Sequence, residues 1–160
     1  VNQQLPKMLF ANPQRIDYYD RYQEIIDAYN AEQNRATIEK TFMDLMELAS
    51  SLDTEQQRYV REGFSSDEEL SVYDLLFSEN LTKQEIETIK KVSVDLLTKI
   101  KQQIAKLDHW TDKQETKAIV DNLIRNTLWQ ELPNSYDVSD IQTYQKKIYE
   151  YVYMRYPEVA

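Results

Sequence analysis

The sequence predicts an all-α fold, a single helical bundle of about six to seven helices. The 160 residues include one glycine, Gly63, and four prolines, so tight turns have few places to form. Apolar residues recur at intervals of three and four over most of the chain, and no segment shows the alternation of a half-buried strand. Capping patterns precede several of these periodic segments, which indicates where helices begin.

The first half of the chain predicts four helices. The first covers residues 14 to 31, and the apolar face predicted for it consists of Ile16, Tyr19, Tyr22, Ile26 and Tyr29. The second has a seam with 4-3-4-3 spacing, which consists of Ile38, Phe42, Leu45, Ala49 and Leu52. A weaker helix over 55–62 is expected to end in a left-handed cap at Gly63. Ser66 and Glu69 form a capping-box pattern that begins the fourth.

The second half predicts three longer helices. Thr82 and Glu85 form a capping box before a helix over 83–107, and its predicted buried residues are Ile86, Ile89, Leu96, Leu97, Ile100, Ile104 and Leu107. Thr111 and Gln114 are predicted to cap the next helix, in which Ile119, Leu123, Ile124 and Leu128 face inward and which Pro133 ends. Ser139 and Gln142 are predicted to open the last helix, which ends before Pro157 and whose inward residues are Ile141, Tyr144, Ile148, Tyr151, Val152 and Arg155.

No internal repeat or Pro/Gly-rich linker divides the chain, so we expect one domain over residues 14–160. Residues 1–13 are expected to form an N-terminal arm or linker. Because the chain begins with Val1 and its opening lacks the features of a secretory signal, we interpret it as a part of a longer protein. No window approaches the roughly 18–20 apolar residues that span a bilayer, so no membrane partner is expected.

Charge and cysteine content restrict the function classes. The net charge of −9 would repel a DNA backbone over most of the surface, so a protein partner is favoured over autonomous duplex binding. The absence of cysteine excludes disulfides and thiolate chemistry and fits a cytoplasmic location.

Candidate catalytic patterns are weak. The single glycine cannot build a phosphate-binding loop. One segment, Glu115-Thr116-Lys117, matches the Glu-x-Lys half of a nuclease motif, and Asp108 or Asp112 would be its upstream acid. A solvent-exposed helix face explains this short pattern better. His109 is the only histidine and lacks metal-ligating neighbours, so a surface or capping role is favoured. The acidic run 67–69 is interpreted as favourable charge at a helix start. No catalytic, cofactor-binding or metal-binding residue is therefore expected in this chain.

Aromatic residues are the remaining candidates for a binding surface. The chain has twelve tyrosines, and the densest group lies near Lys146, Lys147 and Arg155 and consists of Tyr144, Tyr149, Tyr151, Tyr153 and Tyr156. Helical spacing sends these rings to more than one face, so core packing, a partner interface and base stacking on nucleic acid all remain open. Trp110 and Trp129 flank one helix and are interpreted as core anchors, with an interface role as the alternative.

The order of these segments resembles one family, the restriction (R) subunits of type I restriction enzymes. The resemblance rests on the Asp108–Trp110 turn, the Lys- and Gln-rich helix, the Leu-Pro-Asn-Ser-Tyr break at 132–136 and the Tyr-rich last helix. Upstream, residues 25–52 and 65–100 also look like that family, so the similarity covers about residues 16–157. It places the chain in the helical C-terminal region of the R subunit, beyond the nuclease and helicase modules.

The resemblance implies a noncatalytic domain that docks the motor subunit onto the modification (M) and specificity (S) subunits, or braces the helicase domains of its own subunit. ATP and Mg²⁺ are expected only in other domains of the parent ATP-dependent endonuclease, and DNA is expected to be reached through the parent complex. The residues expected at a partner interface are Trp110, Lys146, Lys147, Tyr149 and Tyr153. The alternative is direct contact with DNA through the basic, aromatic C-terminal helices.

Overall fold

The computed structural model describes residues 2–158 and confirms the all-α fold class. Within these residues there are eight α-helices, two short 3₁₀ turns and no strand. The helices are α1 (Gln4–Ala11), α2 (Ile16–Ala31), α3 (Arg35–Gln56), α4 (Arg58–Arg61), α5 (Asp67–Leu76), α6 (Lys83–Ala105), α7 (Gln114–Glu131) and α8 (Val138–Arg155). No helix in the described part of the chain is both long and apolar enough to cross a membrane.

The helix count exceeds the predicted six to seven because the first residues are helical. α1 lies in the segment that we expected to be an arm or linker, and its Leu5 and Met8 are buried. The helix has no side-chain cap at its start, which is why the sequence offers little sign of it. Gly63 has the predicted left-handed conformation, with φ of 86°, and follows the short helix α4.

The chain divides into two compact units, Val1–Ser71 and Val72–Ala160. The sequence shows no change of composition at this division, and the domain limits expected from it stay a prediction. In the first unit, α2 packs against α3, and the core is an apolar cluster of Leu5, Met8, Ile25, Leu48 and Leu52. Tyr18, Tyr22 and Leu45 pack against this cluster.

The apolar faces predicted for α2 and α3 are partly wrong. Ile25, which was not assigned to the face of α2, is its buried residue, whereas Ile16 and Tyr19 are exposed. On α3, Leu52 is buried as predicted, but Ile38 and Phe42 are exposed. The helices contact each other along a face rotated from the predicted one, because several faces of α3 carry apolar residues.

A buried arginine joins three segments of the first unit. Arg15 donates from Nε to Glu55 Oε1 at 3.0 Å and from Nη1 and Nη2 to the two carboxylate oxygens of Asp67 at 3.0 and 2.6 Å. Arg58 Nε also donates to Glu55 Oε2, at 2.9 Å. Burial alone would raise the pKa of Glu55, but the hydrogen bonds from Arg58 and Arg15 outweigh it and hold that pKa below its ordinary value.

In the second unit, α7 packs against both α6 and α8. The buried residues of α6 include Ile89, Leu96, Leu97, Ile100 and Ile104, as predicted. On α7 the buried face contains Val120 instead of the predicted Ile119, together with Ile124 and Leu128. Lys99 links α6 to α7 by contacting Asp95 at 3.0 Å and Glu131 at 3.2 Å.

Local polar contacts set the starts of the last helices. The Thr82–Glu85 capping box is present, with both hydrogen bonds at 3.1 Å. The predicted Thr111 and Ser139 caps are wrong: α7 has no side-chain cap, and α8 begins with a capping box of Asp137 and Asp140. Before α8, the buried Tyr136 hydroxyl donates to the Leu76 carbonyl oxygen at 2.5 Å, which fixes the break between α7 and α8.

Candidate partner interface

A turn between α6 and α7 places Trp110 inside the second unit. His109 adopts a left-handed conformation with φ of 47°, and Trp110 follows it in a 3₁₀ turn over Trp110–Asp112. The Trp110 side chain is fully buried, and its Nε1 donates a 2.7 Å hydrogen bond to the carbonyl oxygen of Tyr156 at the end of α8. The Trp110 carbonyl in turn accepts from Thr116 Oγ1 at 2.6 Å. The indole therefore ties the turn to the C-terminal end of α8.

Two tyrosines of α8 pack edge-on against Trp110. The ring centroids of Tyr149 and Tyr153 lie 6.0 and 5.8 Å from that of Trp110, with interplanar angles of 81° and 86°. Their spacing of four residues puts both rings on one face of the helix, and their own centroids are 6.1 Å apart. Tyr149 is half-buried and Tyr153 is exposed. The buried indole thus supports two aromatic rings that reach the surface.

Two shallow, open depressions run between α7 and α8 on this face, and we name them together the α7–α8 groove. One has a volume of about 330 Å³ and is lined by Lys117, Tyr149, Glu150, Tyr153 and Met154. The other, of about 250 Å³, is lined by Asp121, Gln142, Gln145, Lys146 and Tyr149. Tyr149 lines both, so the two depressions lie side by side in the groove. It is too open to enclose a small molecule, which a ligand pocket normally does.

The groove combines aromatic surface with charges of both signs. Lys117 Nζ lies 5.9 Å from the Tyr153 ring centroid, within the range of a cation–π contact. Gln145 Nε2 donates to Asp121 Oδ1 at 3.0 Å, which connects the two helices. Burial, and then the nearby Asp121 carboxylate, raises the pKa of the Tyr149 hydroxyl above its ordinary value. Tyr149 therefore stays protonated at neutral pH and can donate a hydrogen bond.

The structure brings together four of the five residues predicted for the interface. Trp110, Tyr149 and Tyr153 form the aromatic cluster, and Lys146 lines the groove beside Tyr149. Lys147 is exposed and lies over the Tyr144 ring, with Nζ 5.6 Å from its centroid. Trp110 is buried, so it supports the surface rings and contributes no exposed area of its own.

The remaining aromatic residues divide between core and surface. Tyr151 is buried whereas Tyr153 on the same helix is 38% exposed, which agrees with the prediction that the tyrosines of the last helix point to more than one face. Tyr136, before this helix, is also buried. The prediction that Trp129 is a core anchor is wrong, because its side chain is 49% exposed. Sequence reasoning also missed Lys117 and Met154 as groove residues. Lys117 lies one helical turn before Asp121, which also lines the groove, but no pattern in the sequence marks either as a binding residue.

Of the candidate catalytic residues, Lys117 lines this groove, and Asp108, His109, Asp112 and Glu115 do not. His109 is exposed, with Nε2 3.4 Å from Asp108 Oδ1 and Nδ1 3.4 Å from Glu158 Oε1. Glu115 and Lys117 lie on the first turns of α7, a helix and not a strand. Among residues 2–158, no group of three or more His, Cys, Asp or Glu side chains is arranged to hold a metal ion.

The acidic run at the start of α5 has a structural explanation that sequence reasoning found only in part. Asp67 binds Arg15, as described above, and Glu69 Oε1 accepts from the Ser65 backbone N–H at 2.9 Å. The Glu69 N–H donates to Ser66 Oγ at 3.3 Å, which is half of the predicted capping box. Two of the three carboxylates thus stabilise the start of α5 or its contact with Arg15.

Comparison with known proteins gives one family. A family model described as "Type I restriction enzyme HindI endonuclease subunit-like, C-terminal" matches residues 1–156. A search of curated proteins and a search of solved structures found no match.

Proposed function

The chain belongs to the family of C-terminal domains of type I restriction enzyme endonuclease subunits of the HindI-like kind, and from this premise we propose that it is a noncatalytic docking domain. In this proposal, the α7–α8 groove attaches the endonuclease subunit to the modification and specificity subunits, or braces the helicase domains of its own subunit. Catalysis, ATP and Mg²⁺ belong to other parts of the parent enzyme.

The observation that carries the proposal is the pair of surface tyrosines held by a buried tryptophan. Tyrosine is enriched in protein interfaces because its ring offers a large contact area while the hydroxyl forms a hydrogen bond. Here Tyr149 and Tyr153 are held in place by edge contacts with Trp110, so little conformational entropy is lost when a partner covers them. Lys146 and Glu150 at the edges of the groove supply polar contacts of both signs.

The test is binding of the isolated chain to a purified modification–specificity assembly, measured by biolayer interferometry. In parallel, the chain is titrated against an endonuclease subunit that lacks this domain. We expect binding to one of the two. If a folded sample binds neither, the docking proposal is wrong.

Variants locate the contact surface. Tyr153→Ala is expected to weaken binding at least about tenfold, since truncation of an interface anchor costs more than about 1.4 kcal/mol. Tyr19→Ala is the matched control, because Tyr19 is 39% exposed and Tyr153 is 38% exposed. Lys146→Glu removes no buried contact and should also weaken binding. Equal affinities for all variants would place the contact outside the groove.

A second candidate function is stacking of single-stranded nucleic acid on aromatic rings of α8, among them Tyr144 and Tyr153. It is favoured by the lysines above these rings, Lys117 over Tyr153 and Lys147 over Tyr144. A labelled oligonucleotide that is shifted by the chain at low salt and released at high salt would support this candidate. No shift at low salt removes it.

A further inference from the structure

We propose that an exposed apolar stripe on α3 is a second docking surface and binds a basic amphipathic helix of a protein partner. The stripe consists of Ile38, Phe42, Met43 and Met46, whose side chains are 49%, 63%, 69% and 59% exposed. Single exposed apolar residues are common on protein surfaces, but four within nine residues of one helix form a continuous patch. The stripe includes no residue of the α7–α8 groove and does not depend on the function proposed for it.

The packing of the first unit leaves the stripe without a role. Leu48 and Leu52 of α3 are fully buried in the core cluster, and Leu45 packs against it. Ile38, Phe42 and Met46 follow one another at intervals of four and extend over about 12 Å on a neighbouring face of the helix. α3 therefore has a buried apolar face and an exposed one, whereas a surface helix of this kind normally has only the first.

The residue types of the stripe suit a helical partner. Methionine is unbranched and adaptable, so Met43 and Met46 can fit the side chains of an incoming helix. Phe42, between Ile38 and Met46 in the row, offers a large ring, as an anchor does in interfaces. A partner helix would contact this row through apolar residues at positions i, i+3 or i+4, and i+7. Those positions form a stripe about as long as the row on α3.

Charge decides which partner fits. Residues 1–71 contain 14 acidic and 7 basic side chains, a net charge of −7. Beside the stripe, Glu39 and Glu47 are 67% and 70% exposed and pair with Arg35 at 3.3 Å and Arg21 at 3.6 Å, so the attraction for a basic partner comes from the excess of acidic residues in the whole unit. A second copy of the chain, an anionic membrane and a nucleic acid would all be repelled by this surface, whereas a helix with basic flanks would be attracted. The occupant is therefore a helix with an apolar face bordered by Lys or Arg.

The test uses two labelled synthetic helical peptides with the same leucine positions, one with lysine and one with glutamate at all flanking positions. Binding to the full 160-residue chain is measured by fluorescence anisotropy at low and high salt. The lysine peptide should bind, and its affinity should fall with added salt. If the lysine peptide does not bind, or the glutamate peptide binds equally well, the proposal is wrong.

Substitutions then assign the binding to the stripe. The double change Phe42→Ser and Met46→Ser should weaken binding of the lysine peptide at least about tenfold. Val60→Ser is the matched control, because Val60 is 63% exposed in the same unit and lies outside the stripe. Both changes are on exposed residues, so circular dichroism should show folded proteins. Unchanged affinity in the double variant overturns the proposal. Sedimentation that shows a dimer lost in that variant also overturns it, in favour of a second copy.

Discussion

Trp110 and Trp129 lie near the two ends of α7 but have opposite environments. The Trp110 side chain is fully buried, donates a hydrogen bond and contacts two tyrosine rings, whereas Trp129 is 49% exposed. The sequence could not show which of them is buried, because Trp110 precedes and Trp129 ends the same helical segment with apolar periodicity. Their burial depends on how α7 is rotated against α6 and α8, and that rotation is a property of the packed unit.

We expect Trp110→Phe to lower the free energy of unfolding by about 1–3 kcal/mol. Phenylalanine fills less volume and leaves the Tyr156 carbonyl without its indole donor. Trp129→Phe should change it by less than about 0.5 kcal/mol, since an exposed ring loses little on replacement. Urea unfolding followed by circular dichroism measures both. Equal losses in the two variants would contradict the role assigned to Trp110.

Glu55 connects stability to pH. Because its pKa is lower in the folded chain than in the unfolded one, its contribution is present above the ordinary glutamate pKa of about 4.3 and is lost as the pH falls through the folded value. Glu55→Gln should therefore cost about 1–3 kcal/mol at pH 7, and the difference from wild type should shrink toward pH 3.

Glu39→Gln is the control for this experiment. Glu39 also pairs with an arginine, at 3.3 Å from Arg35, but both side chains are exposed, so a change below about 0.5 kcal/mol is expected at any pH. Chemical unfolding at a series of pH values checks both variants. A loss in Glu55→Gln that is independent of pH would show that the carboxylate charge does not matter there.

At the scale of the helices, the start of α8 distinguishes two capping patterns. The sequence suggested Ser139 with Gln142, whereas the structure has Asp137 with Asp140, whose hydrogen bonds measure 2.8 and 3.1 Å. Asp137→Ala should cost about 1 kcal/mol, and Ser139→Ala should be neutral, since alanine is favourable inside a helix. Thermal unfolding of the two variants gives the comparison, and a larger loss in Ser139→Ala would contradict the observed cap.

Apart from α1, the existence of the helices was predictable in this chain, whereas the rotation of α2, α3 and α7 was not. Periodicity and the Thr82 capping box were enough for α6, because most of its apolar residues lie on one buried face and the exposed Val94 is an exception. On α7, the adjacent Ile119 and Val120 are equally apolar, and only contact with α6 and α8 selects Val120 for burial. α1 escaped prediction because it is short and begins without a side-chain cap.

At the scale of the whole molecule, the net charge of −9 predicts weak affinity for duplex DNA. We expect no mobility shift of a labelled duplex in about 50 mM salt, a condition that favours charge-driven binding. Should a shift appear, Lys146→Glu with Lys147→Glu should abolish it and Lys83→Glu should not. That result would favour the aromatic C-terminal helices as a DNA surface.

The family could be inferred from the order of segments, whereas the groove could not be inferred from any single one. Tyr149 and Tyr153 fall on one helical face by spacing alone, but that face becomes a surface only because Trp110 lies beneath it. The left-handed His109 and the Tyr156 carbonyl determine where the indole lies, and neither has a sequence pattern that predicts it.

The buried indole also makes the chain its own spectroscopic reporter. In a Trp129→Phe protein, Trp110 is the single tryptophan, and its emission comes from a dry, aromatic environment. Tyr149 and Tyr153 are close enough to transfer excitation energy to it, so any ligand that covers or displaces these rings should alter the emission. Binding at the α7–α8 groove can thus be followed in unlabelled protein.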